Sequence, residues 1–175
     1  MPYPSPYEKI QARKDKVSCF GCLFIIVLAF FLAVFLTLLV GPGKAQAAAI
    51  TGQSVYAATN ADRKAHGLKP VVPNAALVKA AQLKANDMML RGYFAHASPE
   101  GWHAYHWVNI AKGKQWEIGE NLADGFTTIE AQESALMKSP THRANILEKT
   151  YTEIGIGIAH RPDGTIITAV YFGAE

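Results

Sequence analysis

Cysteine occurs only at positions 19 and 22, so nothing beyond Cys22 can form a disulfide or act as a thiol nucleophile. Surplus charge is also missing from the larger part of the chain. Five of the 17 basic and two of the 14 acidic side chains precede residue 48, which leaves twelve of each after it. A neutral segment with no basic block is not built to hold nucleic acid. Neither H-E-x-x-H nor G-x-S-x-G is present, which removes two common hydrolase signatures. There is no internal repeat, and the only biased tract is the alanine-rich stretch 45–49. The Cys19-x-x-Cys22 spacing has no second ligand pair. It reads as two small apolar residues at a helix end, with juxtamembrane acylation as the other reading.

What is present begins with Phe20–Val40, FGCLFIIVLAFFLAVFLTLLV, apolar throughout and free of charge. A helix needs about 20 such residues to cross a bilayer. Lys9, Arg13, Lys14 and Lys16 precede it and only Lys44 closely follows, which keeps the N-terminus inside and exports the rest. The expected organisation is a basic cytoplasmic tail at 1–18, which would meet the inner membrane surface, and a transmembrane helix or signal h-region at 19–41. A linker at 42–52 and an exported domain at 53–175 follow. Ala45-Gln46-Ala47 behind Pro42-Gly43 would suit cleavage and secretion. The run is longer than the roughly 7–15 residues of a signal h-region, which favours a retained single-pass anchor. Both outcomes stay open.

The exported part starts helical. Thr51 to His66 reads as a helix stopped by Gly67, and Asn74 caps a second, AALVKAAQLKANDMMLR, closed by Gly92. Its face of Leu77, Ala80, Ala81, Lys84, Met88 and Arg91 is apolar only in part. Trp102 to Ala111 forms a short helix after the turn at 98–101, and Thr128 caps another over 129–138. The period then changes: EIGIGIAH and IITAVYF, joined by RPDGT, make an antiparallel hairpin. A further strand is expected near Glu117–Leu122. Helices on both faces of a small antiparallel sheet follow from this order.

One histidine stands where acids are usual. Ser139 suits an N-cap and Pro140 the first helical position, so His142 falls at the third. A positive helix end disfavours imidazolium, so His142 should stay neutral, as a metal ligand or proton acceptor must. The plainer alternative is a histidine that hydrogen-bonds its own turn.

YFAHASPEG (93–101), GENLADG (119–125) and SPTHRANIL (139–147), in that order and before YTEIGIGI and AVYFG, resemble the CAP superfamily of cysteine-rich secretory, antigen 5 and pathogenesis-related proteins. The likeness runs over about 53–173 and is to the bacterial SCP-like branch. It implies an α+β fold, an α-β-α sandwich with a small antiparallel sheet, and a surface cleft of two histidines and two acids. Matched residue by residue, His96, Glu120 and His142 fill three of those four places. Leu136 and Ser139 stand where the second glutamate and its preceding tryptophan are expected, and Glu133, one to two turns upstream, is the candidate substitute, though nothing requires it.

Two imidazoles and a carboxylate would make a site with an open position, with His96 and His142 as ligands to a divalent cation such as Zn or Ca. Alternatively, Glu120 pairs with an imidazole and only ties two loops together. Asn121 and Asn145 read as amides satisfying loop backbone, Arg143 as a surface group, and His66 and His160 carry no signal. His103, His106, Trp102, Trp107 and Trp116 are expected mainly in the core. Ser98 and Ser139 are explained by turn and cap roles, although a Ser–His pair is conceivable.

The leading expectation is a non-catalytic, extracytoplasmic cleft module binding a divalent cation and a lipid, glycan or peptide of the envelope. The alternatives are a metal-assisted hydrolase of cell-wall or peptide substrates with Glu120 as base, and a structural protein of the envelope or spore coat.

Overall fold

The computed structural model describes residues 48–175. The tail, the expected membrane segment at 19–41 and the start of the linker lie outside the described residues. Among the described residues no helix is long and apolar enough to cross a membrane. Residues Ala47–Glu175 make one compact unit. Residues 48–51, placed in the linker from sequence, already pack on it: Ile50 is buried and the Ile129 amide donates to Ala48 O at 3.1 Å.

Local signals set the element ends. Helix α1 (Gly52–Ala65) starts with a reciprocal cap in which Thr51 Oγ1 accepts from the Ser54 amide and Ser54 Oγ from the Thr51 amide. Helix α2 (Ala75–Arg91) is capped by Asn74 Oδ1, which accepts from the Ala76 and Leu77 amides. It ends at Gly92, left-handed at φ 69°. Helix α3 spans Ala104–Ile110, α4 spans Ile129–Lys138 behind a Thr128 cap, and α5 spans Pro140–Ile146.

Four strands form one sheet in the order β1-β3-β4-β2. Strands β3 (Glu153–His160) and β4 (Ile166–Ala174) are the expected hairpin, and β2 (Glu117–Asp124) lies antiparallel to β4. The purely antiparallel sheet needs correction. Strand β1 (Val72–Pro73) runs parallel to β3, held by the Val72 amide to Thr152 O and the Asn74 amide to Ile154 O. Two residues carry no readable period, and a proline that cannot donate is tolerated at a sheet edge.

The core lies on both faces of this sheet. On one face, α2 and α3 bury Leu77, Met88, Trp107 and Val108 against Ile167, Ala169 and Tyr171. On the other, α1, α4 and α5 bury Val55, Leu136 and Ile146 against Ile154, Val170 and Phe172. Strand β4 alternates between the two, which is why IITAVYF is apolar at nearly every position. Helix α2 lies so close to β3 that a Cβ on Gly155 would fall 2.0 Å from the Leu77 carbonyl carbon, and one on Gly157 2.2 Å from that of Ala81. That contact explains the glycines of EIGIGIAH.

Behind α5 sits Arg63 of α1, fully buried. Its guanidinium donates to the carbonyls of Lys69, Ile146, Glu148 and Tyr151 at 2.8–3.0 Å. One side chain therefore fixes the exit of α5 and the start of the final hairpin.

Candidate functional site

His96 and Glu120 meet at the free edge of the sheet, and His142 stands near them without joining them. Strand β2 pairs only with β4, and its consecutive residues Glu120 and Asn121 point to opposite faces. Glu120 lies opposite Tyr171 and faces the α2 side; Asn121 lies opposite Val170 and faces α5. A Cβ on Gly119 would fall 2.7 Å from Tyr151 Oη, so the glycine of G-E-N lets that ring lie against the strand.

Two amides join α5 to β2. Asn121 Nδ2 donates to His142 O at 3.0 Å, and Asn145 Nδ2 donates to Glu120 O and to Asn121 Oδ1 at 3.0 and 2.9 Å. These are the backbone-satisfying roles expected of both residues. They carry His142 to the edge where Glu120 stands.

His96 arrives on the loop between α2 and α3. Its Nδ1–H donates to Glu120 Oε1 at 2.5 Å. The imidazole is the exposed partner, its side chain 59% accessible against 7% for Glu120. The hydrogen bond to the carboxylate raises the His96 pKa, with burial and Lys84 opposing. Glu120 Oε2 and the Tyr171 hydroxyl that feels its charge are both buried and without a hydrogen-bond partner. Burial first and the carboxylate second push the Tyr171 pKa far up, so that phenol stays protonated.

His142 occupies the third position of α5. Its pKa is lowered, in the expected direction but for a different first reason: burial acts most, then the charge of His96. His96 is thus near enough to influence the charge of His142. Ser139 does not cap α5 with its side chain. Its Oγ instead sits 2.9 Å from His142 Nδ1, so the Ser–His pair exists, but with the serine on the nitrogen that faces the helix start.

Other expectations resolve differently. Glu133 does not enter the cleft; it is buried against α1, accepting from Thr59 Oγ1 at 3.2 Å. Leu136 is core, so no acid replaces the second glutamate there. Arg143 meets His66, with Nη2 3.0 Å from His66 Nε2. Of the three tryptophans only Trp107 is buried. Trp102 is partly exposed and stacks on His106 with centroids 4.0 Å apart, and Trp116 is 64% exposed. A seven-residue helix has too little apolar face to cover all of them.

Sequence reasoning missed Lys84. It is fully buried in α2, and its Nζ donates to His96 O at 3.0 Å. Its signal was a charge on the otherwise apolar face shared with Ala80 and Met88.

Residues 56–172 match the profile of the cysteine-rich secretory protein family, CAP. The chain belongs to this family. The CAP domain is 36% identical over 121 residues to the uncharacterised protein YkwD of Bacillus subtilis, a match that covers 69% of this chain and 46% of YkwD. The chain thus spans about half of that relative. By fold it is similar to an extracellular SCP-domain protein of Bacillus anthracis (TM-score 0.65, 24% identity, 70% of this chain and 40% of that one). An outer surface protein of Borrelia burgdorferi has the same TM-score at 19% identity, with 74% and 99% covered.

A divalent cation does not fit the side chains as they stand. Among the described residues no three His, Cys, Asp or Glu side chains are grouped to hold one ion. Glu120 offers no ready oxygen, since Oε1 is bonded to His96 and Oε2 is buried. Two imidazoles alone fall short of the three protein ligands usual at an open zinc site.

Proposed function

We propose that this CAP domain is a non-catalytic binding module of the cell exterior, held at the membrane by its N-terminal apolar run. Its cleft, built on His96, Glu120 and His142, holds a lipid, glycan or peptide of the envelope. The observation that carries the reading is the meeting of His96 with Glu120, from segments 24 residues apart, on the same edge that α5 brings His142 to. An exposed imidazole locked by a buried carboxylate offers a directed hydrogen-bonding group at fixed position. The exterior location is supported by the charge pattern around residues 20–40 and by the similarity in fold to an extracellular and an outer-surface protein.

A second reading is favoured by the same bond. A carboxylate holding an imidazole by its Nδ1–H leaves Nε2 as a proton acceptor, two of the three members of a hydrolytic triad. In that case His96 is the base and Glu120 its orienting partner, the reverse of a hydrolase in which Glu120 itself takes the proton. No serine meets His96 Nε2 among the described residues, so binding is preferred.

The test is an amide-shift NMR titration of residues 47–175 with envelope lipid extracts, glycan strands and peptides. Binding should move resonances of the His96 loop, β2 and α5, and His96→Ala or His142→Ala should abolish it. Shifts confined to other surfaces would refute the cleft. Hydrolysis products lost in Glu120→Gln would establish the second reading.

A further inference from the structure

Lys84 is a charged side chain packed under the His96 backbone that neither reading uses. Its ammonium is fully buried, donating to His96 O at 3.0 Å and reaching Tyr93 Oη at 3.4 Å. It lies 5.0 Å from the Tyr93 ring centroid and 5.9 Å from that of Trp107. Among the described residues no carboxylate oxygen lies within ion-pair contact of it. The negative charges it feels are Glu120 first and Asp87 second. Asp87 is itself engaged, accepting from Tyr93 Oη at 2.5 Å and lying 3.5 Å from Arg91 Nη1. Burying an ammonium without a contacting carboxylate is strongly unfavourable. Anchoring one backbone carbonyl needs no charge, since a neutral amide could donate as well. The charge therefore calls for its own explanation, and the site above it supplies one.

We propose that Lys84 is the specificity-determining residue of the cleft: a built-in cation beneath the His96–Glu120 pair that excludes divalent metal ions and leaves the cleft to neutral or anionic ligands. The lone carboxylate of the cleft already answers to His96 by hydrogen bond and to Lys84 through space. An incoming dication would have to displace the 2.5 Å bond and approach a buried positive charge in a poorly screening interior. Loss of that ammonium removes the repulsion, so that a dication able to displace the His96 bond meets one positive charge fewer. The inference deepens the binding reading and rests on it for its meaning. Its test is separate, because ligand binding and metal binding can fail independently.

The experiment is calorimetric titration of residues 47–175, a compact unit with its own two-sided core, with ZnCl2 and CaCl2. Wild type and Lys84→Arg should show no His96-dependent binding at micromolar Zn²⁺ or Ca²⁺. Lys84→Met should bind Zn²⁺ at least tenfold more tightly than wild type, and His96→Ala should erase the gain. A residue that merely anchored a loop would give no such gain when removed. If Lys84→Met does not fold by circular dichroism, Lys84→Gln is judged by the same criteria, since its amide can still donate to His96 O. Micromolar, His96-dependent Zn²⁺ binding by wild type would overturn the proposal. So would a folded neutral variant whose affinity does not rise.

Discussion

Glu133 offers the sharpest thermodynamic test of this packing. It is buried between α4 and α1, with Thr59 as its hydrogen-bond donor and the Asp62 carboxylate nearby. Burial first, and the Asp62 charge second, push its pKa up to about 7 from 4.5. At about 1.4 kcal/mol per unit the shift is worth about 3 kcal/mol. The sign follows from linkage. With a raised folded pKa, the native state keeps this proton while the unfolded chain loses it, so the domain loses stability as pH rises from 4.5 through 7. Below that window both states are protonated; above it the native state carries an uncompensated buried charge. Glu133→Gln removes the titration and keeps the shape. Urea denaturation of residues 47–175 at pH 5, where the unfolded carboxyl is already mostly ionised, and at pH 8 should therefore show the variant gaining about 2.5 kcal/mol on wild type between the two. Comparing the variant with wild type cancels the other titrating groups. An equal difference at both pH values would show that Glu133 is not held protonated by its surroundings.

The Arg63 clamp should be costly to remove: Arg63→Met strands four carbonyls that a charged donor now satisfies, a loss of about 3 kcal/mol or more in urea unfolding. A loss under about 1 kcal/mol would mean those carbonyls find other partners. His96 titrates above its ordinary value because of Glu120, so its contribution to stability is full below the unfolded pKa and fades as pH climbs through the folded one. Glu120→Gln should lower the His96 midpoint seen by NMR, and an unchanged midpoint would place the carboxylate's charge elsewhere.

Much of the site was legible because its signals are short-range. The Ser-Pro start of α5 puts His142 at the third helical position, and the three motifs mark His96 and Glu120. The failures share a cause. Ser139 was assigned to a cap from its residue type, but a hydroxyl near a helix start has two acceptable partners, and the imidazole three residues on is the one it takes. Glu133 was considered for the cleft by distance along the chain, yet its rotation around α4 turns it towards α1. The tryptophans were counted as core on average behaviour, and two of three stay partly or largely exposed.

The amino-acid order alone determined where elements begin and end, since caps, glycine stops and hydrophobic period act over a few neighbouring residues. It determined too that residues beyond 47 hold no thiol and no net charge, and that the run at 20–40 is apolar enough to span a bilayer. Only the tertiary structure decided which polar groups lose water. Whether a lysine on α2 ends in solvent or beneath an imidazole, and which oxygen of Glu120 is spent on His96, depends on segments tens of residues apart meeting at one sheet edge. Those desolvated contacts, rather than the residue types, set the charge balance from which the cleft's chemistry follows.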